Sequence, residues 1–552
     1  MKKLILSKTI LFIFILAFIN LFIVTFGGEN TLIGVTVITA TLMLLERDLT
    51  ISPLKNTLKL VLINIFLGIL SFVAIQNIFL GIACNFISLF VVGYLFSYDL
   101  RSPIYIAFGL QYLFMVSVPI TVEQLPLRIL SLISGALIIM VAQMIVNKNK
   151  LEKTSDKLLS EISNDILQKI NRIVSNEYDT GELDFKIDSS LKTLKRILYD
   201  NRKEDFFMTN KGMNILNIIF NFERISTILD KYKNDMTYTK YSLSTIQKEL
   251  YHLRDYMCKD GEYKRIYIQD DDCIDLYEFY DSIENIYSSF NDYRKNNLEK
   301  ELESKLDIPH EFKMTSVHKR NLTTTSIRFS YAIKVSVGVA IAGFLMDYLK
   351  LSEGRWIMFT VFSLVQPYSE NCIIRSKKRI FATFIGGLLV LVLFSIFKSD
   401  MTRSIIIILA GYISTYTKDY RDLIMCNTIS AIGAACAATS VINPGVFVLN
   451  RILFILLGAF IALIINKLLL PYNAQTAYDS LIDMYKKVIS EMDKEITLTI
   501  NKKSNLHKVK NLFLIANLIE DKMISMNTLI KDDNQDVMLN KKRFIINNMY
   551  SL

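Results

Sequence analysis

Residues Arg128–Ile138 read RILSLISGALI, and residues Arg451–Ile461 read RILFILLGAFI. The two stretches lie 451 − 128 = 323 positions apart, and the same offset pairs Asp99-Leu100 with Asp422-Leu423 and Ser117-Val118 with Ser440-Val441. From 99 to 138 the ungapped alignment holds 11 identities in 40 positions, where an apolar composition alone gives roughly one in ten. The chain therefore reads as one membrane unit used twice. Tandem membrane repeats are a common way to build a transporter around a central path.

Working outward, a chain of 552 residues that is 51% hydrophobic and 21% charged is either several soluble domains or apolar blocks separated by polar ones. The order of residues selects the blocks. Six apolar runs fall between Ile10 and Val146 and six more between Tyr331 and Leu470. Most approach the roughly 20 residues that cross a hydrocarbon core, and the second run of each set is short. The predicted fold is all-α: a polytopic membrane protein of two six-helix repeats, about 12 transmembrane helices, with a helical cytoplasmic domain. The predicted domains are 1–147 (first membrane block), 148–328 (cytoplasmic domain), 329–471 (second membrane block) and 472–552 (cytoplasmic tail). The basic, apolar N-terminus resembles a secretory signal, but no small-residue cleavage site follows it, so it reads as the first retained helix.

Lys2, Lys3 and Lys8, with Arg47, Lys55, Lys59, Arg101 and Lys148, set an orientation by the positive-inside rule. N- and C-termini are then cytoplasmic, in the cytoplasmic (inner) membrane. An even number of helices inserts both halves the same way round, making the repeats parallel. The net charge of +10 requires no nucleic acid, because basic residues at membrane edges meet the anionic headgroups of the lipid bilayer.

Six cysteines show no CxxC spacing, which argues against a disulfide scaffold and a zinc site. The four histidines scatter through polar regions and read as solvated. The acidic run Asp270, Asp271, Asp272 with Asp275 lacks EF-hand spacing and reads as a solvated loop. Without a P-loop, GxSxG or HExxH, the sequence predicts no enzyme, no cofactor and no metal. Helical stripes in the polar insert (Leu158, Leu159, Ile162, Ile166, Ile170) and in the tail (Leu481, Tyr485, Val488, Met492) predict packing of these two helices, or a recruitment surface for another protein.

Polar groups within apolar spans are costly in lipid and tend to face a protein interior or a water-filled path. Lys334 lies one turn into the seventh predicted helix and Asp347 near its end, while Arg128 and Arg451 open the sixth and twelfth. Each reads either as a pathway residue or as a side chain snorkelling to headgroups. Gly135 and Gly458 allow close helix contact, and Asn64, Gln111, Gln143 and Asn427 read as interhelical hydrogen-bonding groups.

The stretch Gly354-Arg-Trp356-Ile-Met-Phe-Thr360, then Gln366-Pro367, then Arg379 with Thr383 and Gly386-Gly387 resembles the signature of the fusaric acid resistance protein-like (FUSC) and aromatic acid exporter superfamily. The resemblance covers roughly residues 328–471 and implies an inner-membrane protein linked to export of organic anions, aromatic carboxylic acids in particular. The first block carries no tryptophan, has Asn56 at the offset of Arg379, and has Leu42-Met43 near the place of Gln366-Pro367. The substrate path is then expected to use Lys334 and Arg379 on the cytoplasmic side and Arg451 outside. Trp356 is an interfacial anchor or an aromatic wall. Gly386 and Gly387 thin their helix so that a neighbour, such as the one bearing Lys334, can approach. Two rival readings remain: an anion channel of the same architecture, and a membrane-anchored scaffold or sensor working through its cytoplasmic helices. The path runs between the two repeats of one chain or between chains of a homo-oligomer.

Overall fold

The computed structural model describes residues 2–530 except 47, 51, 97–103, 149, 176, 178, 201, 204–206, 235–239, 260–273, 295–320, 325, 352, 440–443 and 501–505. The acidic run at 270–272 and the repeat pairs at 99–100 and 440–441 lie outside the described residues, as does the side chain of Asp275. Apart from a two-residue antiparallel pair, Arg202–Lys203 with Phe207–Met208, the described elements are helices.

The first apolar block comprises α1 (Lys2–Phe26), α2 (Thr31–Leu44), α3 (Pro53–Ala74), α4 (Ile78–Phe96), α5 (Ile104–Ser117) and α6 (Leu125–Val146). The polar insert forms α7 (Lys150–Val174), α8 (Gly181–Asp200), α9 (Asn210–Asn234), α10 (Lys240–Lys259) and α11 (Ile274–Arg294). The second apolar block comprises α12 (Ile327–Tyr348), α13 (Arg355–Leu364), α14 (Ser369–Ile396), α15 (Asp400–Ser414), α16 (Tyr420–Thr439) and α17 (Pro444–Leu468). The tail adds α18 (Ala474–Ile500) and α19 (Leu506–Ile530). Pro53 and Pro444 stand at the first helical position, where a missing N–H costs nothing.

Two compact units result, one of residues 1–49, 53–145 and 315–479, the other of 50–52, 146–314 and 480–552. Among the described residues of the first, seven helices (α1, α3, α4, α6, α12, α14 and α17) are long and apolar enough to cross a membrane, and α2, α5, α13 and α15 are shorter apolar helices. The surface of this unit is itself apolar: Val24, Phe79, Ile145 and Leu468 are each at least 74% exposed. A water-soluble surface rarely tolerates such an array. Lipid tails do, and the chain is a multi-pass membrane protein.

The main core of the membrane unit draws on both apolar blocks, with Leu89, Val92, Phe108, Val335, Val339, Val361, Phe362 and Ala462 in one cluster. Small residues let the blocks approach. A Cβ on Gly93 of α4 would stand 3.0 Å from the Ala332 Cα of α12, and one on Gly109 of α5 would overlap the Phe362 ring of α13. Ten of the fourteen residues of α5 are buried, which makes it an inner helix surrounded by protein. A smaller cluster around Val390, Phe394, Ile432 and Val448 joins α14 to α17.

Within the other unit, α7 and α8 bury Leu159, Ile162, Ile166, Leu191 and Leu194, so amphipathic stripes have become a helical core. Lys169 is fully buried and satisfied by Asp184 at 2.8 Å and Asp230 at 2.7 Å. The tail helix α19 joins this core through Phe513, whose ring lies 4.6 Å from that of Phe220, and through Asn517 Oδ1, which accepts from Lys195. The Tyr485 hydroxyl of α18 donates to Glu520 of α19 at 2.7 Å.

Candidate functional site

The short helix α13 organises the polar interior of the second apolar block. Its ten residues rise about 15 Å, half of a hydrocarbon core. Val365 then turns extended, and Pro367 follows, unable to continue a helix. The orphan carbonyls at this end are met in part by Gln366, a buried side chain whose Nε2 donates to Ser363 O at 3.0 Å and Val365 O at 3.1 Å. Gln366 thus serves as a cap. At the other end of α13 the connection from α12 is strained, with Lys350 and Glu353 both at positive φ.

Arg451 meets the strained end. Its guanidinium lies 3.7 Å from the centre of the Trp356 ring, a close cation–π stack. It is 6% exposed, and its Nε and Nη1 have no hydrogen-bond partner. Glu353 is near enough to attract it, while Arg379 and Arg355 repel it. The Glu353 carboxylate is already engaged, accepting from Trp356 Nε1 at 2.9 Å and from Arg355 Nη2 at 2.6 Å. Trp356 is half-buried, and its ring acts as a wall under the cation; Phe359 extends the wall at 5.5 Å.

Arg379, on α14, meets the opposite end. Its Nη1 donates to Ser363 Oγ at 2.9 Å and to the Tyr420 hydroxyl at 3.2 Å, while its Nε is buried without a partner. Trp356 and Ser363 are seven residues apart, about 10 Å along the helix, so α13 carries a cation at each end. The buried Thr383 hydroxyl, one turn beyond Arg379, is likewise unpartnered.

Lys334 is deeper still. It is fully buried on α12, and its Nζ has no acceptor. Tyr331, one turn earlier, also has an unpartnered hydroxyl, and its ring lies 5.0 Å from that of Tyr105 on α5. Asn466 Oδ1 on α17 is a third buried orphan. Snorkelling is excluded for Lys334, because none of its surface reaches solvent or lipid.

Arg128 differs from Arg451 although both open a helix at the 323 offset. It is 1% exposed, and every guanidinium nitrogen donates: Nε to Asn30 Oδ1 (3.1 Å), Nη1 to Met115 O (3.3 Å) and Val118 O (2.9 Å), Nη2 to Glu29 O (3.0 Å). Arg128 is a clamp across three chain segments. Asp347 is half-buried, and its carboxylate stands beside Gly81 of α4.

The packing glycines all face a neighbour. A Cβ on Gly458 would sit 2.7 Å from Thr360 Cβ, and one on Gly135 would sit 2.5 Å from Val37 Cγ2. Gly386 faces Met425 and Thr428 of α16, and Gly387 faces Val448 of α17. The space they open is taken by α16 and α17, a correction to the expectation that the Lys334 helix uses it. Asn64 donates to Leu132 O at 3.0 Å, Gln111 to Asn64, and Gln143 to Leu44 O at 2.6 Å, whereas Asn427 points outward, exposed. Sequence reasoning missed Glu353, Ser363, Tyr420 and Asn30. Glu353 and Ser363 flank motif residues already noticed, but only the fold brings Tyr420 to Arg379 and Asn30 to Arg128.

No groups of three or more His, Cys, Asp or Glu able to hold a metal occur among the described residues. Cys84, Cys372, Cys426 and Cys436 are buried and free; the side chains of Cys258 and Cys273 lie outside the described residues.

No curated protein and no solved structure matches the chain. Residues 340–465 match the family model described as fusaric acid resistance protein-like. That span contains Trp356, Gln366, Arg379 and Arg451, and stops short of Lys334 and the first block. Within its second apolar block the chain is thus similar to the fusaric acid resistance protein-like family.

Proposed function

We propose that this chain exports organic anions, aromatic carboxylates in particular, across the cytoplasmic membrane by a path that follows α13. The observation that carries the reading is Arg451, a buried guanidinium stacked on Trp356 with two nitrogens unpartnered. A buried cation whose nearest carboxylate, Glu353, is already engaged by Arg355 and Trp356 is expensive, most of all in a membrane protein. A mobile anion supplies what the protein withholds. The aromatic wall of Trp356, Phe359 and Phe114 suits an anion with a ring, and the half-length helix matches the interrupted helices on which transporters hold substrate.

A duplicated frame of two parallel six-helix repeats gives this path its surroundings. Support comes from α1 and α2, which shifted by 323 become 325–349 and 354–367, against Ile327–Tyr348 and Arg355–Leu364. The pairs Gly135 with Val37 and Gly458 with Thr360 repeat at the same offset. In this reading Arg128 holds the first copy together, while its counterpart Arg451 has been released for ligand.

Purified protein in liposomes should move labelled benzoate, and Arg451→Met should cut the initial rate at least tenfold while the variant remains folded. Absence of flux for a panel of aromatic and aliphatic carboxylates would sink the transport reading.

A further inference from the structure

Three buried polar atoms of the second block lack hydrogen-bond partners: Lys334 Nζ and Tyr331 Oη on α12, and Asn466 Oδ1 on α17. Tyr331 and Lys334 are three residues apart and share a helix face. The groups acting on the Lys334 charge are Cys372 and Glu370, both on α14. The neighbouring α4 presents Gly93 against Ala332 and Val335, and its ionisable groups are Cys84 and Tyr94. From α5 come Tyr105 and Tyr112, from α13 Arg355, and from α17 Arg451 and Lys467. The remaining charges of α14 are the cations Arg375, Lys377, Lys378 and Arg379. On α12 itself the other charges are Arg328 near its start and Asp347 near its end, so cations outnumber Glu370 and Asp347, and no carboxylate is bonded to Lys334.

Two protonation forms of Lys334 follow from this geometry. With the path empty, an ammonium there has lost its hydration and gained no acceptor, so the amine is the cheaper form. A carboxylate arriving beside it reverses the balance, because the pair satisfies both charges. By linkage, whatever makes the anion favour the ammonium makes the ammonium favour the anion to the same extent.

Resting on the anion-path reading above, we propose that Lys334 is a proton-coupling site: it is neutral in the empty path and takes up one proton with each carboxylate. The lone pair of the neutral amine accepts a proton from the aqueous phase on the loading side, and the resulting ammonium donates to the incoming carboxylate. On the other side the carboxylate leaves, the N–H bond breaks, and the proton returns to water. One anion and one proton cross together, so the cycle carries no net charge. Arginine cannot do this, since its guanidinium stays protonated in proteins. That difference in chemistry separates Lys334 from the two arginines of the path.

The test is calorimetric titration of the purified full-length protein with benzoate at pH 8.5, in a set of buffers of different ionisation enthalpy. The slope of observed heat against buffer enthalpy counts protons. The wild type should take up close to one proton per benzoate bound, and Lys334→Arg should bind benzoate with proton uptake reduced to near zero. A Lys334→Met variant, matched in size and uncharged, should bind at least tenfold more weakly and take up no proton. Benzoate binding by the wild type with no proton uptake overturns the coupling role and leaves the anion path standing. Uptake undiminished in Lys334→Arg also overturns it, by placing the proton elsewhere. No benzoate binding at all by the wild type overturns the anion path and the coupling with it.

Discussion

Two arginines at equivalent sequence positions differ in hydrogen-bond satisfaction. Arg128 spends its donors on Asn30 and three backbone carbonyls. Its removal leaves buried acceptors stranded, so Arg128→Met should destabilise the membrane unit by about 3 kcal/mol or more. Arg451 has no such set, and a size-matched apolar replacement relieves a charge that Glu353 compensates only in part. Arg451→Met should therefore melt no lower than wild type in detergent while losing transport. Paired thermal melts decide this; a large fall in Tm for Arg451→Met would make it a clamp like its counterpart.

The residue scale was only half legible in the sequence. Lys334, Arg379 and Arg451 stood out because charge in an apolar run is costly, and that cost does not depend on knowing the neighbours. What each charge meets does depend on them. The acceptors of Arg128 are chiefly main-chain carbonyls, which no side-chain pattern encodes, and Glu353 became visible only as the strained residue that engages Trp356 and Arg355.

At the scale of elements, α13 is held against α17 by Gly458, whose missing Cβ leaves room for Thr360 Cβ and the Ile357 carbonyl. Gly458→Ala places a methyl 3.0 Å from that carbonyl oxygen, and backbone cannot step aside as a side chain can. The substitution should cost about 1–3 kcal/mol and displace α13, lowering transport. Gly28→Ala, where a Cβ meets nothing within 4 Å, is the matched control and should be silent in the same melts. Equal effects at both positions would refute the close α13–α17 contact. Apolar runs announced these helices well, since length and hydropathy are local properties. The partners of Gly386 and Gly387 were misassigned because a glycine shows that something approaches closely, and only the fold shows what.

The chain forms a unit with an apolar surface and a helical unit with a conventional core, and the second carries a group whose titration bears on stability. In the second unit Glu249 on α10 is buried, and desolvation raises its carboxyl from the ordinary 4.5 to about 7. The folded state keeps a proton that the unfolded state releases, so stability is full below pH 4.5 and falls as pH rises towards 7. Above that it stays lower, by about 1–3 kcal/mol. Glu249→Gln should abolish this loss, read as slower hydrogen exchange along α10 at pH 7.5 with little change at pH 4.5. Exchange in the variant equal to wild type at both values would remove Glu249 as the cause. The division into apolar and polar blocks followed from the order of residues, and packing of the tail on the insert was expected from their stripes, but the contact of Phe513 with Phe220 was not, because it pairs residues nearly three hundred positions apart.

The central claim is that an anion binds at Arg451 against Trp356, and the chain reports on this itself, since Trp356 is its one tryptophan. Benzoate added to purified protein, with excitation at the red edge to spare the tyrosines, should change the Trp356 fluorescence saturably, and Arg451→Met should abolish the change. Fluorescence indifferent to benzoate, or an unaltered response in Arg451→Met, would contradict the account.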